Sequence, residues 1–334
     1  MKILFIGGTG VISSACSELC VEKGDDLYLL NRNQSFRKPP ARARMLNADI
    51  RDVNAVKAVL REEKFDSVVD WIAYTEEHVK NDYEIFRDKT DQYIFISSAS
   101  AYIKPPVKLP ITEDTPLKNP FWEYSRNKIS CENYLLDTFG RNNFPVTICR
   151  PSHTYDKTKI SLYGGYTVLN RMKLGKEVIL HDDGNSKWTL TNARDFAKGF
   201  AGLIGNSKTL GEAYHITSDE ILTWNQIAEI IASAAGQELK LTYMPSEFIS
   251  GYDDEWGYNL LGDKSYDTVF DNSKIRGIVP DFKAAIPYSE GVKEIIKWYS
   301  DKVNQIVNTE LDSRMDRMIA DYKSLNKRNE QGEE

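Results

Sequence analysis

Side chains suited to cross-linking or metal capture are scarce in this chain. Its 334 residues include four cysteines (16, 20, 131, 149) and four histidines (78, 153, 181, 215). No Cys-x-x-Cys pair occurs and the histidines stand singly, which argues against a disulfide framework or a zinc site. Long apolar runs are missing: none approaches the ~18 residues that cross a bilayer, and no charged leader with a cleavage site opens the sequence. Positive charge is in deficit, with 43 Lys+Arg against 49 Asp+Glu and a net charge of −6. A broad nucleic-acid face needs clustered cations and is not expected. What is there is ordinary: 41% hydrophobic and 28% charged residues, the composition of a globular chain. These absences lead us to expect a cytoplasmic protein for small molecules, with no metal, membrane or nucleic-acid partner. At this length the chain forms two folding units, or one α/β body with an appended lobe.

The apolar run Lys2-Ile3-Leu4-Phe5-Ile6 reads as a strand, halted by Gly7-Gly8-Thr9-Gly10. A helix follows, with Val11, Ala15 and Leu19 on one row and Ile12, Cys16 and Cys20 on the next, stopped at Lys23-Gly24. Leu27–Leu30, Ser67–Ile72 and Gln92–Ser97 read as further strands, and Asp52 caps a helix carrying Val53, Val56, Val59 and Leu60. Strands alternating with helices imply β-α-β units and a parallel sheet. Residues 103–121 hold five of the twelve prolines, a loop long enough to suggest a functional role. A helix from Tyr124 to Phe139, stopped by Gly140, leads to a strand at Pro145–Cys149. Beyond Pro151 short strands (178–180, 188–191, 213–217, 239–243) mix with helices near 194–204, 223–235 and 288–299, as in a smaller mixed lobe. The expected division is 1–150 for a dinucleotide-binding unit, 151–299 for a substrate lobe interleaved with the sheet's end, and 300–334 for a helical tail. In that tail Leu311, Met315, Met318, Tyr322 and Leu325 form a stripe that buries either on the chain's own body or in a homodimer contact.

A glycine turn between strand and helix lets backbone approach a pyrophosphate, and the helix N-terminus offers free N–H groups to it. Gly7, Thr9, Gly10, Val11 and Ile12 are therefore expected at a dinucleotide, with Ser13 where a third glycine would normally stand. The second strand ends Asn31-Arg32-Asn33. A carboxylate there would favour NAD by bonding the ribose 2′-OH. None is present and Arg32 can meet a 2′-phosphate, so of NAD and NADP this reading favours NADP. Tyr124 and Lys128, four residues apart, share a helix face. An ammonium beside a phenol favours the phenolate, so this tyrosine is expected to move a proton near neutral pH. Tyr155–Lys159 repeats the spacing, but only Tyr124 opens a helix downstream of a serine-rich strand end, Ser97-Ser98-Ala99-Ser100.

Taken in order, the glycine turn, Asp49-Ile50, Ser98, Tyr124-x-x-x-Lys128, Arg150-Pro151, Asp195 and Lys297-Trp298-Tyr299 resemble the extended short-chain dehydrogenase/reductases, the NAD-dependent epimerase/dehydratase branch. The resemblance spans Met1 to about Tyr299. It implies a Rossmann-type doubly wound parallel sheet with a smaller mixed α/β C-terminal lobe. It further implies that Asp49 and Ile50 border the adenine and that Ile72 and Ala73 line the cofactor cleft. Ser98 would bond the reacting oxygen, with Ser97 or Ser100 as alternatives. Tyr124 would be the acid/base, and Lys128 would hold the nicotinamide ribose. The implied activity is an NAD(P)-dependent oxidoreductase or epimerase acting on a sugar-like substrate. The alternative is a non-catalytic dinucleotide-binding relative, regulatory or RNA-associated.

Two departures narrow the reaction. Dehydratases of the family carry Thr-Asp-Glu where this chain has Ser98-Ala99-Ser100, so elimination is disfavoured. Members that act on nucleotide-diphosphate sugars have an arginine where alignment of Asp182-Asp183-Gly184 puts Trp188. The missing grip is replaced by another cation (Arg171, Lys173 and Arg194 are candidates), or the substrate is not a nucleotide sugar. Ser100, His153 and Trp188 are the expected substrate contacts beside Ser98. Trp122, Trp188, Trp224 and Trp256 either cover a sugar face or fill the core.

Overall fold

The run Lys2–Ile6 forms strand β1 in the computed structural model, which describes residues 1–331. The last three residues of the charged end, 332–334, lie outside the described residues. After β1 come α1 (Val11–Glu22), β2 (Asp26–Asn31), β3 (Arg44–Asn47), α2 (Val53–Leu60), β4 (Ser67–Asp70), α3 (Glu76–Phe86), β5 (Tyr93–Ile96), α4 (Glu123–Asn142) and β6 (Val146–Pro151). The chain continues through β7 (His153–Tyr155), α5 (Tyr166–Lys173), β8 (Val178–His181), β9 (Lys187–Trp188), β10 (Leu190–Asn192), α6 (Ala193–Phe200) and β11 (Ala213–Ile216). It ends with β12 (Leu222–Thr223), α7 (Trp224–Ala235), β13 (Leu241–Met244), α8 (Ser246–Ser250), α9 (Asp254–Asn259), α10 (Ser273–Ile278), α11 (Tyr288–Trp298) and α12 (Thr309–Gln331).

Seven strands make one parallel sheet in the order β11-β6-β5-β4-β1-β2-β3. Its strands are apolar on both faces because helices cover both. Leu4, Ile6, Val68 and Phe95 pack toward α2, α3 and α4, while Ile3, Phe5, Val69 and Ile94 pack toward α1 and α6. The reversal of strand order beside β1 opens a crevice at the strands' carboxyl ends, where such sheets bind ligands. Arg150 on β6 grips Glu132 on α4, with Nε–Oε1 3.0 Å and Nη2–Oε2 2.6 Å, both side chains buried. That pair fixes α4, the helix that carries Tyr124 and Lys128, to the sheet.

Two local expectations change. Strand β3 has no hydrophobic signature: its side chains are mostly exposed, and it joins β2 as an edge strand through its backbone and the contacts of Arg44 with Asp26 and the Tyr28 hydroxyl. Helix α4 runs through Gly140 and stops at Asn143, whose φ of 56° closes the last turn. Asparagine tolerates that left-handed geometry, so the glycine is not the stop.

The C-terminal half builds a second core from Trp188, Trp224, Trp256, Ile227, Tyr288 and Ile295, with β11 returning to the main sheet. Helix α12 lays its stripe on this core. Leu311, Met315 and Met318 are buried there, the Tyr322 ring lies 5.1 Å from that of Phe248, and only Leu325 remains exposed. Of the two expected fates for the stripe, the chain's own body takes it. All four cysteines are free and buried. Among the described residues no helix is long and apolar enough to cross a membrane.

Candidate active site

The turn after β1 requires glycine at two successive positions. Gly7 and Gly8 have φ of +101° and +94°, and a Cβ on Gly8 would meet Leu29 Cδ2 at 2.6 Å. At Gly7 it would meet Ile72 Cγ2 at 3.3 Å. Ser13 occupies the third glycine's place without strain because its Oγ accepts the Gly10 N–H at 2.7 Å. The cost is one backbone donor withdrawn from any anion bound at this helix end. Gly7, Thr9, Asn31, Arg32, Asp49, Ile50 and Ile72 line one cavity of about 520 Å³, together with Arg51 and Tyr74. Six expected cofactor residues lie outside that lining, Tyr124 and Lys128 among them. Gly10 caps α1, Val11 faces a separate cavity, Ile12 packs toward the sheet, and Ala73 is buried.

The preference for NADP loses its basis here. Although β2 ends without a carboxylate, Asp49 from just beyond neighbouring β3 supplies one, with Oδ2 3.6 Å from Arg32 Nη1. A 2′-phosphate would compete with Asp49 for that guanidinium, so Arg32 does not distinguish the two dinucleotides.

Ser98, Tyr124 and Lys128 converge where β5 ends against the start of α4. The Tyr124 hydroxyl lies within hydrogen-bonding reach of Ser98. Behind it, the Ser98 and Ser100 hydroxyls are 2.9 Å apart, and Ser125 donates to Ser100 at 2.8 Å. Ser98 is thus the serine beside Tyr124. Ser100 is buried one step behind it, both bonds consumed by serines, and is corrected from substrate contact to support. The Ser97 hydroxyl is buried without a partner. Lys128 Nζ donates to the carbonyls of Ala73 and Ile96, each at 2.7 Å, and lies 5.7 Å from the centre of the Tyr124 ring. Burial lowers its pKa to about 8.

The expectation that lysine lowers the phenol's pKa is not met in the protein alone. Burial pushes Tyr124 up to about 12, and the Ser98 hydrogen bond offsets only part of that. The physical reason is that Lys128, itself desolvated, spends its hydrogen bonds on backbone carbonyls, so burial outweighs the attraction.

Tyr74 borders both the dinucleotide-sized cavity and a second one of about 520 Å³ that contains Tyr124. Trp122 borders that second cavity and a third, of about 370 Å³, within the C-terminal half. The three are neighbours through these shared walls, with Tyr124 in the middle one. Sequence reading assigned no role to Tyr74, which carries no motif signal, or to Arg51, although Arg51 stands within the Ala48-Asp49-Ile50-Arg51-Asp52 stretch that carries the family resemblance.

The third cavity holds His153, His181, Lys159, Lys264, Trp224 and Trp256. His153 Nε2 is buried without a partner, and burial drives its pKa well below the usual histidine range. Trp188 is not in this lining. It is 1% exposed in the core, so its expected substrate contact is corrected: the indole lies beneath the cavity. Lys104 and Lys264 place their ammonium groups 5.7 and 5.8 Å from its ring centre, within cation–π range. The cations proposed to replace the missing arginine are engaged elsewhere. Arg171 pairs with Asp312 and Asp316 of α12, Arg194 pairs with Glu294, and Lys173 donates to the Tyr166 hydroxyl. Lys159 and Lys264 are the lysines that face the cavity, both held below the usual lysine range by burial, Lys264 to about 8. Lys159 keeps accessible surface, and its ammonium has no hydrogen-bond or ion-pair partner among the described residues.

A model of the NAD-dependent epimerase/dehydratase family matches residues 3–217. The chain is 33% identical over 227 residues to a UDP-glucose 4-epimerase of Lactobacillus helveticus, covering 59% of this chain and 68% of that protein. It is 28% identical over 265 residues to the chloroplast stem-loop binding protein of 41 kDa b of Arabidopsis thaliana, covering 75% and 68%. Among solved structures, the dTDP-glucose 4,6-dehydratase of Bacillus anthracis in complex with NAD superposes with a TM-score of 0.72 at 17% identity, covering 90% of this chain and 96% of that one. At that identity the likeness is one of fold.

Proposed function

The chain belongs to the NAD-dependent epimerase/dehydratase family, and from that footing we propose that it moves hydride between an NAD(P) nicotinamide and a carbinol or carbonyl carbon of a carbohydrate-like substrate. The observation that carries this is the meeting of Ser98, Tyr124 and Lys128 between a dinucleotide-sized cavity and a cation-lined one. Gly7, Thr9 and the start of α1 would hold the pyrophosphate. Asn31, Arg32, Asp49 and Ile50 would hold the adenosine, and Lys128 the nicotinamide ribose. When bound, the oxidised nicotinamide accepts the hydride, and its positive charge favours the phenolate. In oxidation Tyr124 takes the hydroxyl proton as the substrate C–H leaves as hydride; in reduction it returns that proton. Ser98 donates to the reacting oxygen.

Ala99 and Ser100 offer no carboxyl group for elimination, so epimerisation or reduction is favoured over dehydration. Lys159, Lys264 and the unpartnered Nε2 of His153 support a substrate bearing an anionic group. Purified protein should quench or shift NADH or NADPH fluorescence. Tyr124→Phe should keep that binding and lose turnover by roughly 10²–10⁴-fold. Binding of neither dinucleotide would refute the cofactor reading, and normal turnover in Tyr124→Phe the acid/base role. The similarity to the stem-loop binding protein favours a second reading, a relative that binds RNA without catalysis. It requires salt-dependent RNA binding that survives Tyr124→Phe.

A further inference from the structure

The turn that follows β4 is built on a buried pair of acids. Asp70, the last residue of β4, aims Oδ1 at its own turn, accepting the N–H of Ile72 at 2.5 Å and of Ala73 at 2.8 Å. Its Oδ2 is buried and receives no N–H or O–H from the described residues. On α3, Asp82 Oδ2 accepts the Tyr93 hydroxyl at 2.6 Å, while Oδ1 is likewise buried without a donor. Both residues are fully buried, and Asp70 is the charge beside Asp82, close enough for the two carboxyl groups to share a hydrogen bond. Two carboxyl groups can share such a bond only when one of them carries a proton. Two bare carboxylates would be uncompensated buried charges. Burial, and then the charge of Asp70, hold the Asp82 proton far above the usual carboxylate range.

We propose that Asp82 is the protonated donor to Asp70, and that this single O–H···O bond positions Lys128 and the wall of the cofactor cleft. The proposal rests on the reading of that cleft given above. The turn that Asp70 shapes presents two carbonyls. That of Ala73 accepts Lys128 Nζ at 2.7 Å, and that of Ile72 accepts Arg51 Nη2 at 2.5 Å. The Ile72 side chain itself lines the cleft, against the Cβ-less face of Gly7. If the proton leaves, two negative charges face each other with no cation bonded to either. Arg51 and Lys128 are the nearby cations, and both are bonded to carbonyls instead. The other titratable groups around the pair are Tyr74 in the turn, Glu76, Glu77 and His78 on α3, Tyr93 on β5, and Cys131 and Glu132 on α4. None of them donates to the two orphaned oxygens. Asp82 and Asp70 are therefore positioning residues, acting through the turn and not on the reacting atoms.

Asp82→Asn keeps an N–H donor for Asp70 and an oxygen for Tyr93, but has no proton to lose. Asp82→Leu keeps neither. NADH binding, followed by fluorescence from mildly acidic to alkaline pH, should weaken at alkaline pH in the unaltered protein. It should stay flat in Asp82→Asn, matching the unaltered protein at neutral pH. Asp82→Leu should bind roughly tenfold more weakly at every pH, because it leaves a buried acceptor unsatisfied. Carbon-detected NMR of the cofactor-free protein should find one aspartic side chain protonated at neutral pH, and Asp82→Asn should remove that signal. A pH-flat unaltered protein, or an Asp82→Asn variant as weak as Asp82→Leu, would overturn the positioning role. Absence of the protonated resonance would overturn the shared proton. If NADH fails to bind at all, the cofactor reading falls and the positioning role with it, while the NMR result still decides the pair itself.

Discussion

Lys128 lies 5.7 Å from the centre of the Tyr124 ring, yet its hydrogen bonds go to the backbone of Ala73 and Ile96. The helix spacing that brings these side chains together does not by itself activate the phenol. In the protein alone burial keeps the phenol protonated, and the lysine is a desolvated cation whose proton is weakly held.

This gives a linkage that can be measured. Lys128 and Lys264 have folded pKa values lowered to about 8 from an ordinary 10.5. Between those values the unfolded chain binds more protons than the folded one, so these groups make stability rise with pH. Denaturant midpoints recorded from about pH 8 to about pH 10 should climb less steeply in Lys264→Met than in the unaltered protein. Equal slopes would show that the lysine is not desolvated.

The ion pair with Asp49 occupies the Arg32 guanidinium that a 2′-phosphate would need. Asp49→Asn frees the guanidinium and should raise affinity for NADPH relative to NADH. The pair is exposed and worth up to about 1 kcal/mol, so the ratio should move by no more than about fivefold. Titration of both cofactors against both proteins tests this, and an unchanged ratio would remove Arg32 from cofactor selection.

Trp188 supports the cation-lined cavity from below. Trp188→Arg would bury a third positive charge beside Lys104 and Lys264, so it should lower the melting temperature steeply without creating a phosphate grip. Trp188→Phe keeps an aromatic face and should cost about 1–3 kcal/mol. A thermal scan of both variants distinguishes them, and a stable Trp188→Arg would contradict the buried placement.

Arg171, buried on α5, holds Asp312 and Asp316 of the last helix at 2.5 and 2.8 Å. Arg171→Met should loosen α12, costing less than the ~3–5 kcal/mol of a fully buried pair because Asp316 is half-exposed. Chemical denaturation measures the loss, and light scattering should find the assembly state unchanged. A change of assembly without loss of stability would instead assign the helix to a subunit contact.

Much of the architecture was legible because its signals are local. Short apolar runs announced β1, β4 and β5, the first halted by glycine, and Asp52 marked the start of α2, where it accepts the Ala55 N–H. Strand β3 was invisible because an exposed edge strand needs no alternating apolar pattern, its pairing resting on backbone and on Arg44 contacts with Asp26 and Tyr28. At the site, motif order picked out Ser98, Tyr124 and Lys128, but not Tyr74, Lys159 or Lys264. Those three owe their position to folding of remote segments onto one another, and no spacing records it.

The sequence by itself determined the alternation of strands and helices, the need for glycine after β1, and the four-residue spacing that puts Tyr124 and Lys128 on one face. All of these follow from backbone sterics and helix periodicity over a few residues. Tertiary structure alone decided which serine meets Tyr124, that Asp49 answers Arg32, that Trp188 lies under the cavity, and that Asp70 and Asp82 are both buried. Burial and long-range pairing decide such things, because desolvation and charge depend on what surrounds a group in space, whatever its neighbours along the chain.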